Sequence, residues 1–577
     1  MNSAKSIFRL PTNDIADCVL LIRRSCPVFY IHGCVDMKIA AGSISIHGHR
    51  ICDEKWHRVC SSGLNLVTVE CTLSRPLKRW NKLLSEILDN DVKTKLKTVF
   101  KDKNDVVCVV FFKANWLTSK LPFGDFFDVI SVLDSVEFES DQKELHDVTC
   151  DLGFTLFHEL PNSCSSLKIF PTWKKLSEMV QLHSNQADVQ TPIVLICGGK
   201  NVGKSTFARY LMNDFLNNQS SLYFMETDVG QTEFTPPGIL SLVKVNSPIF
   251  GPPFTHLAKS ERALFFGDIT PKDYPSTYVK MVYLLHEYYK ESCSAEPLVI
   301  NTCGWIKGLG VRILLDIIRL VQPTHIIQIN SPSQATKNLP VFTEDFLTTQ
   351  EGWTYESFSV PHLPHVLQID AYENDCEARK GVQASDLRML SLLSYFGMHQ
   401  NVSSSFTLQE YIQNHAATYS IPISALKIQN IYDDVSPDNL WKSIIGSIVG
   451  LIRKNTEARK SHVESLGDEV RFGECVGLGI VRNIDVAKEI VYLITPEPKE
   501  NFNDVYTLLK GRLEILDCMF KSQSCGSLPY VTSEFTFNHR GSGQKRVRYN
   551  LLRQKSPNPL KKKALDQVSH VAVQNDQ

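Results

Sequence analysis

With 577 residues the chain is too long for one hydrophobic core, and about three or four domains are expected. Hydrophobic residues make up 43%, aromatics 10% and charged residues 21%, an ordinary globular balance, and no apolar run approaches the roughly 20 residues of a membrane span, so no membrane role is expected. The formal net charge of −1 conceals an uneven distribution, with the basic residues concentrated near one end.

The N-terminus lacks the apolar core and small-residue cleavage site of a secretory signal, so an intracellular protein is expected. The first 165 residues read as β structure, with alternation in 42–48 and 64–70 and a continuous apolar run at 106–112. Short strands with glycine turns suggest a sandwich. One helix is expected at 77–88, and the basic residues Arg75, Lys78 and Arg79 beside it read better as a solvated face than as a nucleic-acid contact. Cys18, Cys26 and Cys34 repeat at a spacing of eight, as do Cys52 and Cys60, with His32, His47, His49 and His57 nearby. No Cys-x-x-Cys pair occurs among the sixteen cysteines and the spacing fits no common zinc module, so free buried thiols and no structural metal are expected.

Residues 166–189 form a helix and polar connector. Beyond them Gly198-Gly199-Lys200-Asn201-Val202-Gly203-Lys204-Ser205-Thr206 fits the phosphate-loop pattern, between an apolar strand at 193–197 and a helix. Backbone N–H groups of such a loop cradle phosphate oxygens, Lys204 reaches the β- and γ-phosphates, and the Ser205 hydroxyl ligates Mg²⁺. Strands at 221–225, 263–266, 298–301 and 325–329 alternate with helices at 276–289 and 311–321. This layout predicts a parallel sheet with helices on both faces and ligands at the carboxyl ends of the strands.

The informative residues stand at those ends. Asp228, in Asp228-Val229-Gly230-Gln231, is expected to hold a metal water or to accept a proton as general base, with Gln231 orienting a phosphate or that water. Glu226 reads as a strand-end residue, and Asp268 either as a second acid or as the cap of the next turn. Trp305, in Thr302-Cys303-Gly304-Trp305, is placed to stack on a nucleobase, with a core tryptophan as the other reading.

Residues 401–540 are expected to form a smaller α+β domain, with a helix at 440–452 and strands at 423–428, 474–481 and 490–494. The tail at 541–577 is basic and polar, and 540–563 carries nine Lys or Arg and no acidic residue. A solvated tail, an import signal and direct RNA contact are open readings.

The phosphate loop, Asp228-Val229-Gly230-Gln231, Thr302-x-Gly304-Trp305, Phe265-Phe266-Gly267-Asp268 and the stretches 477–485 and 492–498 together resemble the eukaryotic polynucleotide 5′-hydroxyl kinases, in the nucleolar branch that processes pre-ribosomal RNA. The resemblance covers most of the chain. It implies a central P-loop kinase domain at 190–400 and ATP-dependent phosphorylation of RNA 5′ ends during removal of an internal transcribed spacer, with Mg²⁺, a nucleolar location and a partner endoribonuclease. In roles, it implies Lys204 and Ser205 on phosphate and metal, Asp228 as base, Thr302 and Trp305 as a clasp on the terminal nucleotide, and a lid near 379–396 bearing arginines. Arg388 matches the lid best and Arg379 is a weaker second. A non-catalytic ATP-binding scaffold is the rival reading. A switch GTPase is disfavoured, because no Asn-Lys-x-Asp segment occurs and Asp-x-Gly-Gln is one residue short of the GTPase motif.

Overall fold

The computed structural model describes residues 5–9, 16–24, 27–61, 65–72, 106–115, 149, 152–162, 164–184, 191–354, 363–372, 383–397, 418–432, 435–453, 471–502 and 505–514. The expected helix at 77–88 with its neighbouring basic residues, Arg379, and the basic tail lie outside them.

Three sheets account for the described strands. The first contains β1 (Lys5–Arg9), β2 (Cys18–Arg23), β3 (Val28–Ala41), β4 (Ile44–Ile46), β5 (His49–Ile51), β6 (Trp56–Cys60), β7 (Asn65–Cys71), β8 (Val106–Ala114), β9 (Phe154–Phe157) and β10 (Ser165–Ser166). Strand β3 takes part in four ladders: Val28 to Ile31 pair with β7 and Tyr30 to Gly33 with β9, while Val35 to Ala41 pair with β8 and Cys34 to Lys38 with β6. Its alternating inward residues Phe29, Ile31, Val35, Met37 and Ile39 enter one core with Val110 and Phe112 of β8, as period-2 patterning requires. The β3–β6 register sets Cys34 directly opposite Cys60, Cα atoms 4.1 Å apart, and the two sulfurs meet at 1.94 Å. The expectation of free thiols throughout therefore fails at this pair. Among the described residues the other cysteines, from Cys18 to Cys475, form no disulfide.

Helix α1 (Pro171–Ser184) leads to the second sheet, whose strands are β11 (Ile193–Gly198), β12 (Leu222–Glu226), β13 (Ile239–Val245), β14 (Arg262–Phe265), β15 (Leu298–Asn301), β16 (His325–Asn330) and β17 (His365–Asp370). Their order is β14-β13-β12-β15-β11-β16-β17. The five strands from β12 to β17 are parallel, as expected, while β13 and β14 extend the edge antiparallel. Strand β11 is apolar on both faces because both are covered. Its Ile193, Leu195 and Cys197 face α3 (Pro275–Ser292) and α4 (Leu309–Val321), and its Val194 and Ile196 face α1 and α2 (Lys204–Phe215).

The third sheet runs β18 (Thr418–Pro422), β22 (Ile490–Ile494), β21 (Cys475–Asp485), β20 (Ile448–Arg453), β23 (Val505–Lys510), β19 (Lys427–Asn430). Two expectations change here. The helix expected at 440–452 is α7 (Pro437–Ile444) followed by strand β20, because the run Ile448-Val449-Gly450-Leu451-Ile452 is buried on both faces and pairs with β21 and β23. The strand expected at 423–428 is broken by a 3-10 turn, Ile423–Ala425, placed after Pro422, whose ring ends the β18 ladder. Helix α6 (Ala384–Phe396) inserts Leu390, Leu393 and Phe396 into a core shared by all three sheets, with Cys34 and Cys60 from the first, Phe265 from the second and Ile448 and Leu478 from the third.

Candidate active site

Strands β12, β15 and β11 are consecutive neighbours and parallel, so the loops after them emerge side by side at one sheet end. Those loops carry Asp228, Gly304 and the phosphate loop.

The phosphate loop ends at Gly203, the residue before α2, whose φ of 96° lies in the left-handed region that side-chain-bearing residues avoid. Helix α2 has no side-chain cap, so the N–H groups of its first turn face the loop, a ready anion site. Lys204 is 7% exposed and donates from Nζ to the Gly199 carbonyl at 2.8 Å. Burial lowers its ammonium, against the pull of the Asp228 carboxylate. A Cβ built on Gly304 would stand 2.8 Å from Lys200 Cα and 3.1 Å from Lys204 Nζ, so only glycine lets the loop after β15 come this close.

Asp228 is held by its own loop, with Oδ1 accepting from the N–H of Gly230 at 3.0 Å and of Gln231 at 3.2 Å. Burial raises its carboxyl, while Lys204 and these two N–H groups pull it down. Glu226 is more than the strand-end residue expected, because it organises this loop. Its carboxylate accepts from the N–H of Asp228 at 2.8 Å and of Glu233 at 3.0 Å, and from Asn301 Nδ2 at 3.3 Å. Burial, joined by the charge of Asp228, pushes Glu226 well above the usual carboxylate range. Glu233 has the opposite fate. Burial would raise it, but Arg209 at 2.5 and 3.0 Å and His256 at 2.9 Å bring it down to about 2.

One cavity of about 480 Å³ joins these groups, lined by Lys200 to Thr206, Arg209, Asp228, Gln231, Glu233 and Gly304. Arg388 of α6 completes its wall, half-buried and under the attraction of Asp228. Over 384–396 the stretch that the resemblance assigns to the lid is helix α6, packed in the shared core, with Ser394 Oγ donating to the Phe254 carbonyl at 2.6 Å and Tyr395 bonded to β21 and Glu497. Thr302 and Trp305 do not line the cavity. Thr302 is 1% exposed and its hydroxyl donates to the Ile196 carbonyl at 2.8 Å, while Trp305 is partly exposed and packs on the core beneath α3 and α4. Asp268 accepts from the N–H of Ile269 at 2.6 Å and lies 3.7 Å from Arg512, which fits the turn-cap reading.

The cavity extends beyond the residues that the sequence singles out. There it is lined by Asn65, Ser165 to Lys168, Trp173 and Tyr372, with Lys168 Nζ 5.5 Å from the Tyr372 ring centre. No local motif marks these residues, because they come from four separate segments.

A family model described as the mRNA cleavage and polyadenylation factor CLP1 P-loop matches residues 198–358, and one described as the NOL9-like C-terminal domain matches 414–516. The polynucleotide 5′-hydroxyl-kinase NOL9 of Bos taurus is 32% identical over 401 residues, 64% of this chain and 57% of the relative. That of Homo sapiens is 30% identical over 405 residues, 65% and 57%. The chain thus spans little more than half the length of these two relatives. The Arabidopsis thaliana protein of the same name is 32% identical over 375 residues, 63% of this chain and 95% of the relative. Among solved structures, the wild-type Clp1p–Pcf11p (454–563) complex has a chain of similar fold, with a TM-score of 0.50 and 11% identity, covering 88% of this chain and 96% of that one. The likeness to the Arabidopsis thaliana protein, over nearly all of its length, together with both family models, shows that the chain belongs to the NOL9 family of polynucleotide 5′-hydroxyl-kinases.

Proposed function

We propose that this chain is an ATP-dependent polynucleotide 5′-hydroxyl kinase that phosphorylates RNA 5′ ends in pre-ribosomal-RNA processing. The observation that carries the reading is the convergence of Lys204, Asp228 and Arg388 on one cavity at the ends of parallel strands. The name shared by these relatives supplies the acceptor class.

In this reading the 5′ oxygen of the RNA forms a bond to the γ-phosphorus of ATP and the bond to the β–γ bridging oxygen breaks. ADP leaves, and the hydroxyl proton passes to Asp228. Lys204 and Arg388 stabilise the charge spread over the transferring oxygens. The N–H groups of the phosphate loop orient the β- and γ-phosphates. Gln231 orients a phosphate, and Trp305 serves as the clasp on the terminal nucleotide outside the ATP cavity, with Thr302, bonded to the Ile196 carbonyl, fixing the start of the loop that carries it. Mg²⁺ suits a site with few carboxylates, since it is usually held by one or two of them together with substrate phosphates. The Ser205 hydroxyl and Asp228 carboxylate are hard oxygen donors of that kind, and among the described residues no group of three or more His, Cys, Asp or Glu converges as an all-protein metal cage would require. Bound there, Mg²⁺ would neutralise phosphate charge.

The proposed organisation is 1–165, 166–189, 190–400, 401–540 and a basic tail at 541–577. The proposed setting is the nucleolus, in removal of the second internal transcribed spacer alongside an endoribonuclease. Incubation with γ-labelled ATP and a 5′-hydroxyl oligoribonucleotide tests the activity. Wild type should label the RNA, and Lys204→Ala and Asp228→Asn should each lose on the order of 100-fold or more in kcat. Folded wild-type protein that leaves the RNA unlabelled sinks the kinase reading and favours a scaffold, while labelling by both variants sinks the assignment of the site.

A further inference from the structure

Ser391 stands one turn beyond Arg388 on α6, on the same face of the helix, and lines the same cavity. It is 4% exposed, and among the described residues its hydroxyl has no hydrogen-bond partner. Buried polar atoms nearly always find one, and a serine inside a helix has an easy choice in the carbonyl a turn before it. Three residues later Ser394 does satisfy its hydroxyl, on the Phe254 carbonyl at 2.6 Å. The contrast marks Ser391 as a donor kept for something outside the protein.

The position of α6 says what that is. The helix is anchored one turn further on through Ser394 and Tyr395 and by the shared core, so Ser391 is part of a standing wall. Arg388 beside it is drawn to Asp228, at the reacting end of the cavity, whereas Lys168, Trp173 and Tyr372 line other walls from distant segments. A neutral hydroxyl beside an arginine, in a cavity whose floor is a phosphate loop, suits an anionic oxygen.

We propose that Ser391 donates a hydrogen bond to an oxygen of the γ-phosphate, as a further substrate-contacting residue that tells a nucleoside triphosphate from a diphosphate. The inference rests on the reading of this cavity as the triphosphate site.

Calorimetric titration of the full chain with a non-hydrolysable ATP analogue and with ADP tests it. Ser391→Ala should bind the analogue roughly 10-fold more weakly and ADP within about twofold of wild type, the loss expected of one hydrogen bond to a charged group. The thermal midpoint of the free variant should not fall, because the deleted hydroxyl held nothing in the protein. Equal weakening toward both nucleotides, or unchanged affinity for both, overturns the assignment. RNA labelling by wild type, run in parallel, is judged separately: its absence counts against the kinase reading, while the titration still decides Ser391.

Discussion

At the scale of single residues the site depends on a buried acid that does not face the cavity. Glu226 receives the N–H groups of Asp228 and Glu233, so one carboxylate pins both ends of the turn that presents Asp228 and Gln231. Glutamine at 226 would offer one oxygen and one NH₂ to two N–H donors, and one end of the turn would lose its anchor. Because the phosphate loop is untouched, Glu226→Gln should lower kcat by roughly 10-fold or more through misplacement of Asp228, and leave the KM for ATP within about twofold. Steady-state kinetics across pH check this, since a moved general base also shifts the acid limb of the kcat profile. An unshifted limb with unchanged kcat would mean that Asp228 keeps its place without this anchor.

At the scale of elements, what was legible in the sequence is what is local. The phosphate loop, β11 and α2 follow one another directly, and their spacing is dictated by backbone geometry around an anion, so Gly203, Lys204 and Ser205 stand where the pattern puts them. The strand-end position of Asp228 was legible for the same reason. The apolar set Leu440, Ile444, Ile445, Ile448 and Leu451 misled because helical and buried-strand patterns coincide over a short run. Strand β13 went unread, and so did the Asn65, Trp173 and Tyr372 walls of the cavity, which no neighbour in sequence announces.

The docking of the β4–β5 hairpin on α2 was equally invisible. Asn213, 0% exposed, donates to the carbonyls of His47 and of Ile249 and accepts from the N–H of Ile249 at 2.7 Å. His49 Nδ1 meets the Asn213 carbonyl at 3.0 Å, and Asn217 bonds both Arg50 and Gly48. Removing the Asn213 amide leaves buried backbone groups without partners. Asn213→Ala should therefore cost about 2–4 kcal/mol in denaturant unfolding, with the m-value unchanged if the hairpin and the P-loop unit unfold together.

On the scale of the whole molecule, the third sheet closes on the turn that follows β14. The Arg512 N–H donates to the Gly267 carbonyl, Tyr432 donates to Phe266, and Arg512 meets Asp273 at 2.9 Å. The assembled molecule buries His32 in the first sheet and His286 on α3, and half-buries His47 at the hairpin. Burial holds all three down at about 4, aided at His47 by the charge of Arg209 and at His286 by that of Lys290. An imidazole whose folded pKa lies below its ordinary 6.5 takes up a proton in the unfolded chain first. Its contribution is therefore complete above about 6.5 and is lost as pH falls toward 4. Glu226 and Asp228, raised by burial, act with the opposite sign, so the slope of the intact protein is a sum. A difference between two proteins isolates one histidine. His286 is 3% exposed, stacks on Tyr289 at 6.3 Å, and neither ring nitrogen has a hydrogen-bond partner among the described residues, so phenylalanine keeps the ring and deletes the titration. His286→Phe should match or exceed wild-type stability at pH 8, and its advantage should grow between pH 6.5 and 5 by up to about 2 kcal/mol. Chemical denaturation at several pH values measures that difference, and an advantage independent of pH would show that His286 does not carry the acid sensitivity.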